Sequence, residues 1–344
     1  MSTAPCPTGA PSYYLTATHC IAAVSAPINL YAMYLVLFRS PGLSNYKYCI
    51  CYLQLSAFFT ELQMTLVCPG YYFFPVLGGY NTGEFFGKMM RSHLYMTMYT
   101  FFLASELPAI VWCFTYRHNS AVDMRNRGSK PRRPLKNMAM FGAQLFPFAV
   151  AFCMYMSEIS RDEAHSYLEK KYPQCLYWAK NEYFAVYDYY TNPWIAVTGV
   201  GALGLVCIYA IFFFSLGIHT MFLLQQLRSH MSLQTYRMHR TALISLSLQV
   251  VLPSVLIILP LYVCFYVVLF ELVEHQALAT NMTVMISGHS VCSSIVMIST
   301  NPRYRTYLKN SVFGLFGVAG VNRRGAIRRP TIEPSSTAFR RSIG

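Results

Sequence analysis

The stretch TALISLSLQVVLPSVLIILPLYVCFYVVLF, Thr241 to Phe270, decides the fold, because it contains no Asp, Glu, Lys or Arg. Crossing the hydrocarbon core of a bilayer takes about 20 helical residues. A soluble helix of this length would carry a polar face, and this one has none. The same pattern recurs along the chain. Met1 to Phe38, Asn137 to Ser157, Tyr189 to Leu227 and His275 to Pro302 are also free of those four residue types. Only 12% of the residues are charged, against about 25% in ordinary soluble domains. Such a composition excludes a soluble globular domain and points to a helical membrane protein.

Seven spans are predicted, over Tyr14–Phe38, Tyr48–Cys68, Ser92–Tyr116, Asn137–Ser157, Trp194–Phe222, Thr241–Phe270 and Leu278–Thr300. The first residues lack the basic start of a secretory signal, so the first span is expected to serve as its own insertion signal. Lys and Arg gather on the cytoplasmic side of a membrane. With the N-terminus outside, all 27 basic residues except Lys88, Arg91, Arg161, Lys170, Lys171 and Lys180 fall on inner segments. Most acids fall outside. The net charge of +14 therefore reads as contact with anionic inner-leaflet lipid and not as nucleic-acid binding. The expected architecture is an all-α membrane protein: a seven-transmembrane-helix bundle, N-terminus outside, over residues 1–310. A cytoplasmic tail follows over 311–344, its last part basic, aromatic-poor and expected to be disordered.

Between the second and third spans lies FFPVLGGYNTGEFFG, Phe73 to Gly87. Its glycines permit unusual backbone angles and its aromatics suit the membrane–water boundary. It reads as a lipid-level turn or as a lid over a ligand cavity. This segment, with Pro69, Phe74-Pro75, Gly79-Tyr80 and Gly83, resembles the nematode serpentine chemoreceptors of class H, with the related class I a near alternative. HRTALISLSLQVVLPSVLIILP (His239–Pro260) and STNPRYRTYL (Ser299–Leu308) extend the resemblance over nearly the whole chain. It implies a G-protein-coupled receptor for environmental chemicals, carried by the plasma membrane of sensory cilia. The partners it implies are a small-molecule cue and a heterotrimeric G protein.

At the cytoplasmic end of the third span stand Tyr116, Arg117 and His118. In rhodopsin-like receptors an Arg at this place joins the surface that G protein reads. Here no acid precedes Arg117, which argues against an acid-locked resting state and leaves a simple positive-inside anchor as the alternative. Asn301, Pro302 and Tyr304 are similar to the NPxxY motif, with the Tyr one residue early. Asn301 also suits a helix cap and Pro302 a first turn, so a short interfacial eighth helix is expected after the seventh span. Prolines within spans free a carbonyl four residues back. Pro253 and Pro260 make the sixth span the expected hinge.

Ionisable groups inside a bilayer are costly and face the bundle interior. Glu61, Glu106 and His289 are such groups, and a Glu–His contact across the bundle is one expectation. Tyr95, Tyr99 and Glu106 share a face of the third span. With His93 and Asn281 they are candidate ligand contacts, or else a structural polar cluster with lipid-anchoring tyrosines. Among cysteines on the oxidising side, Cys68–Cys175 is the preferred pair, with Cys6–Cys175 behind it. No metal-ligand spacing, cofactor loop or catalytic constellation appears, so no enzyme is expected. A ligand-gated channel or transporter is the competing class; transporters more often show internal repeats, and an insect-type odorant channel would put its N-terminus inside.

Overall fold

The computed structural model describes residues 6–40, 45–83, 89–126 and 134–315. Among the described residues six helices are long and apolar enough to cross a membrane, and a bent pair, counted as one span, makes a seventh. They are α1 (Ser12–Phe38), α2 (Tyr46–Leu62, continued by a π turn over Gln63–Val67), α3 (Ser92–Ala104) running into α4 (Glu106–Arg125), and α5 (Pro134–Tyr155). The short α6 (Arg161–Lys171) lies in a loop. Then come α7 (Trp194–Ala196), joined through a second π turn to α8 (Ala202–Gln226), and α9 (Leu233–Leu269). The bent pair is α10 (Gln276–Ser287) and α11 (His289–Thr300), which meet at 40°. Pro302–Leu315 forms a helix, α12, in a compact unit of its own. The predicted tail beyond Leu315 lies outside the described residues, as do Glu84–Lys88 of the aromatic turn and residues 127–133 of the basic loop.

Two of the breaks do not fall where the prolines are densest. α9 runs unbroken through Pro253 and Pro260. The third span breaks at Ser105, whose N–H reaches back to the carbonyls of Phe101 and Phe102, just before Pro108. The seventh breaks at Gly288.

The end of the bundle that carries the N-terminus is covered by a cap, and the opposite end is the basic face. The cap contains a three-stranded antiparallel sheet in the order β1 (Gly70–Phe73), β2 (Gly78–Asn81), β3 (Phe184–Val186). Here the lipid-level reading of the aromatic turn is corrected. Phe73 is buried with Tyr14, Tyr71, Leu168 and Trp178 in one apolar cluster. The Tyr80 ring stacks on Trp178 at 4.9 Å. These rings hold the cap together because aromatic pairs gain from edge and stacked geometry beyond their burial. Gly79 is needed for close approach: a Cβ there would stand 2.4 Å from the Tyr71 carbonyl oxygen. Tyr14 Oη donates to the Gly70 carbonyl at 2.6 Å, and Gln276 Nε2 donates to the Tyr72 carbonyl at 2.9 Å. Both ends of the helical chain thus hold the hairpin.

The disulfide expectation is also corrected. Cys6 pairs with Cys175, and Cys68 is a buried free thiol beside Tyr95. The Pro7 carbonyl accepts from Tyr177 Oη at 2.7 Å and Trp178 Nε1 at 2.9 Å, which brings Cys6 alongside Cys175. Cys68 ends the π turn that continues α2. The bridge closes a sequence separation of 169 residues, so chain-entropy arguments give it up to about 5 kcal/mol. Peptide mapping under non-reducing conditions should recover Cys6–Cys175, and Cys68→Ser should leave that map unchanged. Cys175→Ser should loosen the cap, read as faster hydrogen exchange over Pro173–Val186.

α6 begins with a capping box. Ser160 Oγ accepts from the Glu163 N–H, while Glu163 Oε2 accepts from the Ser160 N–H at 2.8 Å. The Ser160 hydroxyl and N–H hold the Glu163 carboxyl below its ordinary range. A lowered folded-state pKa means that its stabilisation is complete above the ordinary carboxylate range and lost as pH falls through the lowered value. Hydrogen exchange of Arg161–Lys171, corrected for intrinsic rates, should therefore show α6 fraying as pH drops below about 4. Glu163→Gln should remove that dependence.

Candidate functional site: a buried polar seam under the cap

The interrupted third and seventh spans meet at two buried side chains. His289 Nε2 lies 2.9 Å from Glu106 Oε1, and His289 Nδ1 lies 2.7 Å from the Ile286 carbonyl oxygen. A carbonyl only accepts, so Nδ1 carries a hydrogen. A further proton is then shared between Nε2 and the carboxylate. The expected Glu–His contact is thus formed.

Of the two buried acids, Glu61 also serves a helix end. The first amides of a helix lack intrahelical partners and carry partial positive charge, which suits a carboxylate. Glu106 opens α4 just after the Ser105 break. Glu61 reaches from α2, and its Oε2 accepts the Val291 N–H in the first turn of α11 at 3.0 Å. Ser25 and Ser290 lie beside the same carboxylate. Its place is thus explained by the Gly288 break, whose exposed amides would otherwise be unsatisfied in an apolar surrounding.

Further along α11, Ser294 Oγ donates to Gln54 Oε1 at 2.7 Å and lies 2.5 Å from Asn29 Oδ1, and Gln54 Nε2 donates to Ser293 Oγ at 3.0 Å. Nearer the basic face, Ser245 and Thr300 hydroxyls lie 2.5 Å apart, and Gln249 Nε2 donates to Ser245 at 2.9 Å. These groups lie along one face of the seventh span. Sequence reasoning missed Asn29, Gln54, Ser293 and Ser294. The spacing of Ser287, Ser290 and Ser294 along one helical face was the available signal.

The other candidate ligand residues scatter. Tyr95 is buried beside Cys68. Tyr99 is half-buried, with Glu106, Tyr14 and Cys264 in electrostatic range. His93 is pinned between Tyr187 Oη at 3.0 Å and the Tyr155 carbonyl at 3.1 Å, and it lines a cap cavity of about 410 Å³. Asn281 does not join them. It is exposed, and its Oδ1 accepts from Tyr13 Oη at 3.1 Å. The bend at Gly288 separates α10 from α11, so a straight seventh helix was the wrong guide to its facing.

At the basic face, the Arg117 guanidinium carbon sits 3.7 Å from the centre of the buried Tyr46 ring. Tyr116 packs at 5.3 Å on the same ring. His118 Nε2 lies 2.8 Å from His219 Nδ1, and Lys136 Nζ donates to His118 Nδ1 at 2.6 Å, joining the third, fourth and fifth spans. Asn301 ends the seventh span, and Pro302 and Tyr304 stand in the first turn of α12. Among the described residues no group of three metal-ligating side chains occurs.

A multi-pass helical bundle with a polar seam and a covered end has the build of a membrane receptor. The family described as "Serpentine type 7TM GPCR chemoreceptor Sri" matches residues 4–308, so the chain belongs to that chemoreceptor family. No curated protein matches the chain. The family is one of signal-transducing receptors in membranes, not of enzymes.

Proposed function

We propose that the chain is a chemosensory G-protein-coupled receptor of the plasma membrane of sensory cilia. The cap faces outside, and the motifs quoted above belong to class H or class I of the serpentine receptors. A small environmental chemical binds between the cap and the Glu106–His289 pair, in contact with Tyr95 and Tyr99. His93 marks the cap side of that space, and Glu61 supports it by holding α11. The observation that carries this reading is the polar seam of α11, which runs from the buried pair toward the basic face. A ligand shifts a two-state balance only through differential contacts with the two states. A seam of side chains whose hydrogen bonds re-pair as α10 and α11 change angle supplies two such states.

The G protein docks on the basic face at Tyr116, Arg117, His118 and Asn301. Taken by itself, α12, with Pro302 and Tyr304 in its first turn, is an interfacial eighth helix that the G protein also reads, its Arg303, Arg305 and Lys309 toward lipid phosphate. Pro253 and Pro260, which free the carbonyls of Gln249 and Leu256, let α9 swing. The test begins with an epitope tag before Met1. It should be stained on unpermeabilised cells, and a volatile or secreted chemical should evoke G-protein activation in them. Staining only after permeabilisation removes the reading. Ligand-evoked current persisting without G protein puts a channel in its place.

A further inference from the structure

The cap cavity of about 410 Å³ falls within the range of ligand sites, about 300–1,000 Å³, yet it is not the space assigned to the small chemical. One wall is the chain from Asn181 to Tyr187, which contains β3. The other is the start of α6, from Glu158 to Leu168, and Ser92 and His93 close one end.

Among the described residues β3 is an edge strand, paired on one side only, with β2. Gly79 stands opposite Ala185, and the Tyr187 N–H donates to the Leu77 carbonyl at 2.7 Å. Antiparallel ladders alternate, so Ala185 and Tyr187 turn their backbone groups to β2 and the residues between turn theirs away. The Phe184 N–H is used in a turn to Asn181. That leaves the Phe184 carbonyl and the Val186 N–H and carbonyl directed off the edge, on residues that line the cavity. Val186 is only 6% exposed, and buried backbone groups normally find partners.

The cavity also carries two loose ion pairs. Arg91 and Glu158 lie 3.6 Å apart, and Arg161 and Glu182 lie 3.7 Å apart, with the arginine side chains 76% and 70% exposed. Exposed pairs of this kind hold each other weakly, so each charge is free to exchange its partner for one on a ligand.

We propose that this cavity binds a short extended peptide, which adds to β3 as a fourth strand and meets the Arg91–Glu158 and Arg161–Glu182 pairs with its charged groups. An open strand edge supplies main-chain hydrogen bonds, and flanking side-chain contacts supply selectivity. A volatile apolar chemical has no use for either. As an outside signal, the peptide rests on the cap-outside orientation proposed above; as a binding event it does not.

The test uses the full-length receptor in lipid nanodiscs, where both faces are open, so a failure of orientation or G-protein coupling leaves its outcome untouched. The probe is a positional-scanning hexapeptide library, read by affinity selection and mass spectrometry. Enrichment is expected over receptors blocked by Ala164→Trp or, separately, Ala179→Trp, each checked for an intact Cys6–Cys175 bridge and an unshifted melting temperature. Single N-methylation along an enriched peptide should weaken binding at least tenfold at the amide that faces Val186 and leave its neighbours within about twofold. Exchanging the charges in Arg161→Glu with Glu182→Arg should change which charged residues are enriched. No enrichment over the blocked receptors overturns the proposal. Enrichment indifferent to N-methylation also overturns it, and would mark the cavity as a site for a small zwitterion.

Discussion

His289→Leu should be the most damaging single substitution in the bundle, lowering stability on the order of 3–5 kcal/mol, because it leaves the Glu106 carboxylate buried without its partner. His289 is fully buried and its Nε2 lies 2.9 Å from Glu106 Oε1. Removing one member of such a pair costs far more than removing both, since two apolar side chains of similar size need no solvation. Glu106→Leu combined with His289→Leu should therefore recover most of the loss. Melting of the purified receptor in nanodiscs reads the cycle. A double variant no more stable than His289→Leu alone would show that the two side chains are not one unit. Chemical-evoked signalling should stay absent in the double variant, since it restores packing but not the polar contact that the ligand is proposed to bias.

Tyr46→Leu should raise signalling without ligand, and Arg117→Ala should abolish signalling with it. The Tyr46 ring holds the Arg117 guanidinium at 3.7 Å. A largely desolvated cation–π contact is worth roughly 1–2 kcal/mol. Losing it from the resting state would raise the active fraction by about five- to thirty-fold, since 1.4 kcal/mol is a factor of ten. Arg117→Ala removes the group proposed to meet the G protein, and the ligand-evoked response should fall by more than about tenfold at equal surface abundance. Basal and evoked G-protein turnover, normalised to surface receptor, measure both. Unchanged basal activity in Tyr46→Leu would make the stack a packing contact. A normal response in Arg117→Ala would move the coupling surface elsewhere.

The spans were legible because apolar length is a property of composition. The stretch from Thr241 to Phe270 cannot be solvated, whatever surrounds it. Glu106 and His289 were legible for the converse reason: an ionisable side chain in such a run has to find a partner. The breaks that place them were not. Pro253 and Pro260 drew attention to α9, yet it stays continuous, while Ser105 and Gly288 end helices with no more than a serine before Pro108 and a single glycine. At Gly288 the released Val291 N–H is accepted by Glu61 from across the bundle, and no local pattern reveals that role of Glu61 as a cap for α11. The cap was the least legible part. Its strands are three or four residues long, too short for a periodic signal, and its aromatics have the composition of a membrane boundary. Only the tertiary pairing of β2 with β3 turns them inward. The choice of Cys6 over Cys68 followed from where Pro7 is held, which is equally non-local.

The Glu106–His289 bond ties the third span to the seventh beside the 40° elbow at Gly288. The seventh span is therefore a pair of stiff rods instead of a single beam, and the bond is the crossbar that fastens its joint to a neighbouring post. Under the proposed reading, a push on the upper rod reaches that post sideways before it travels down.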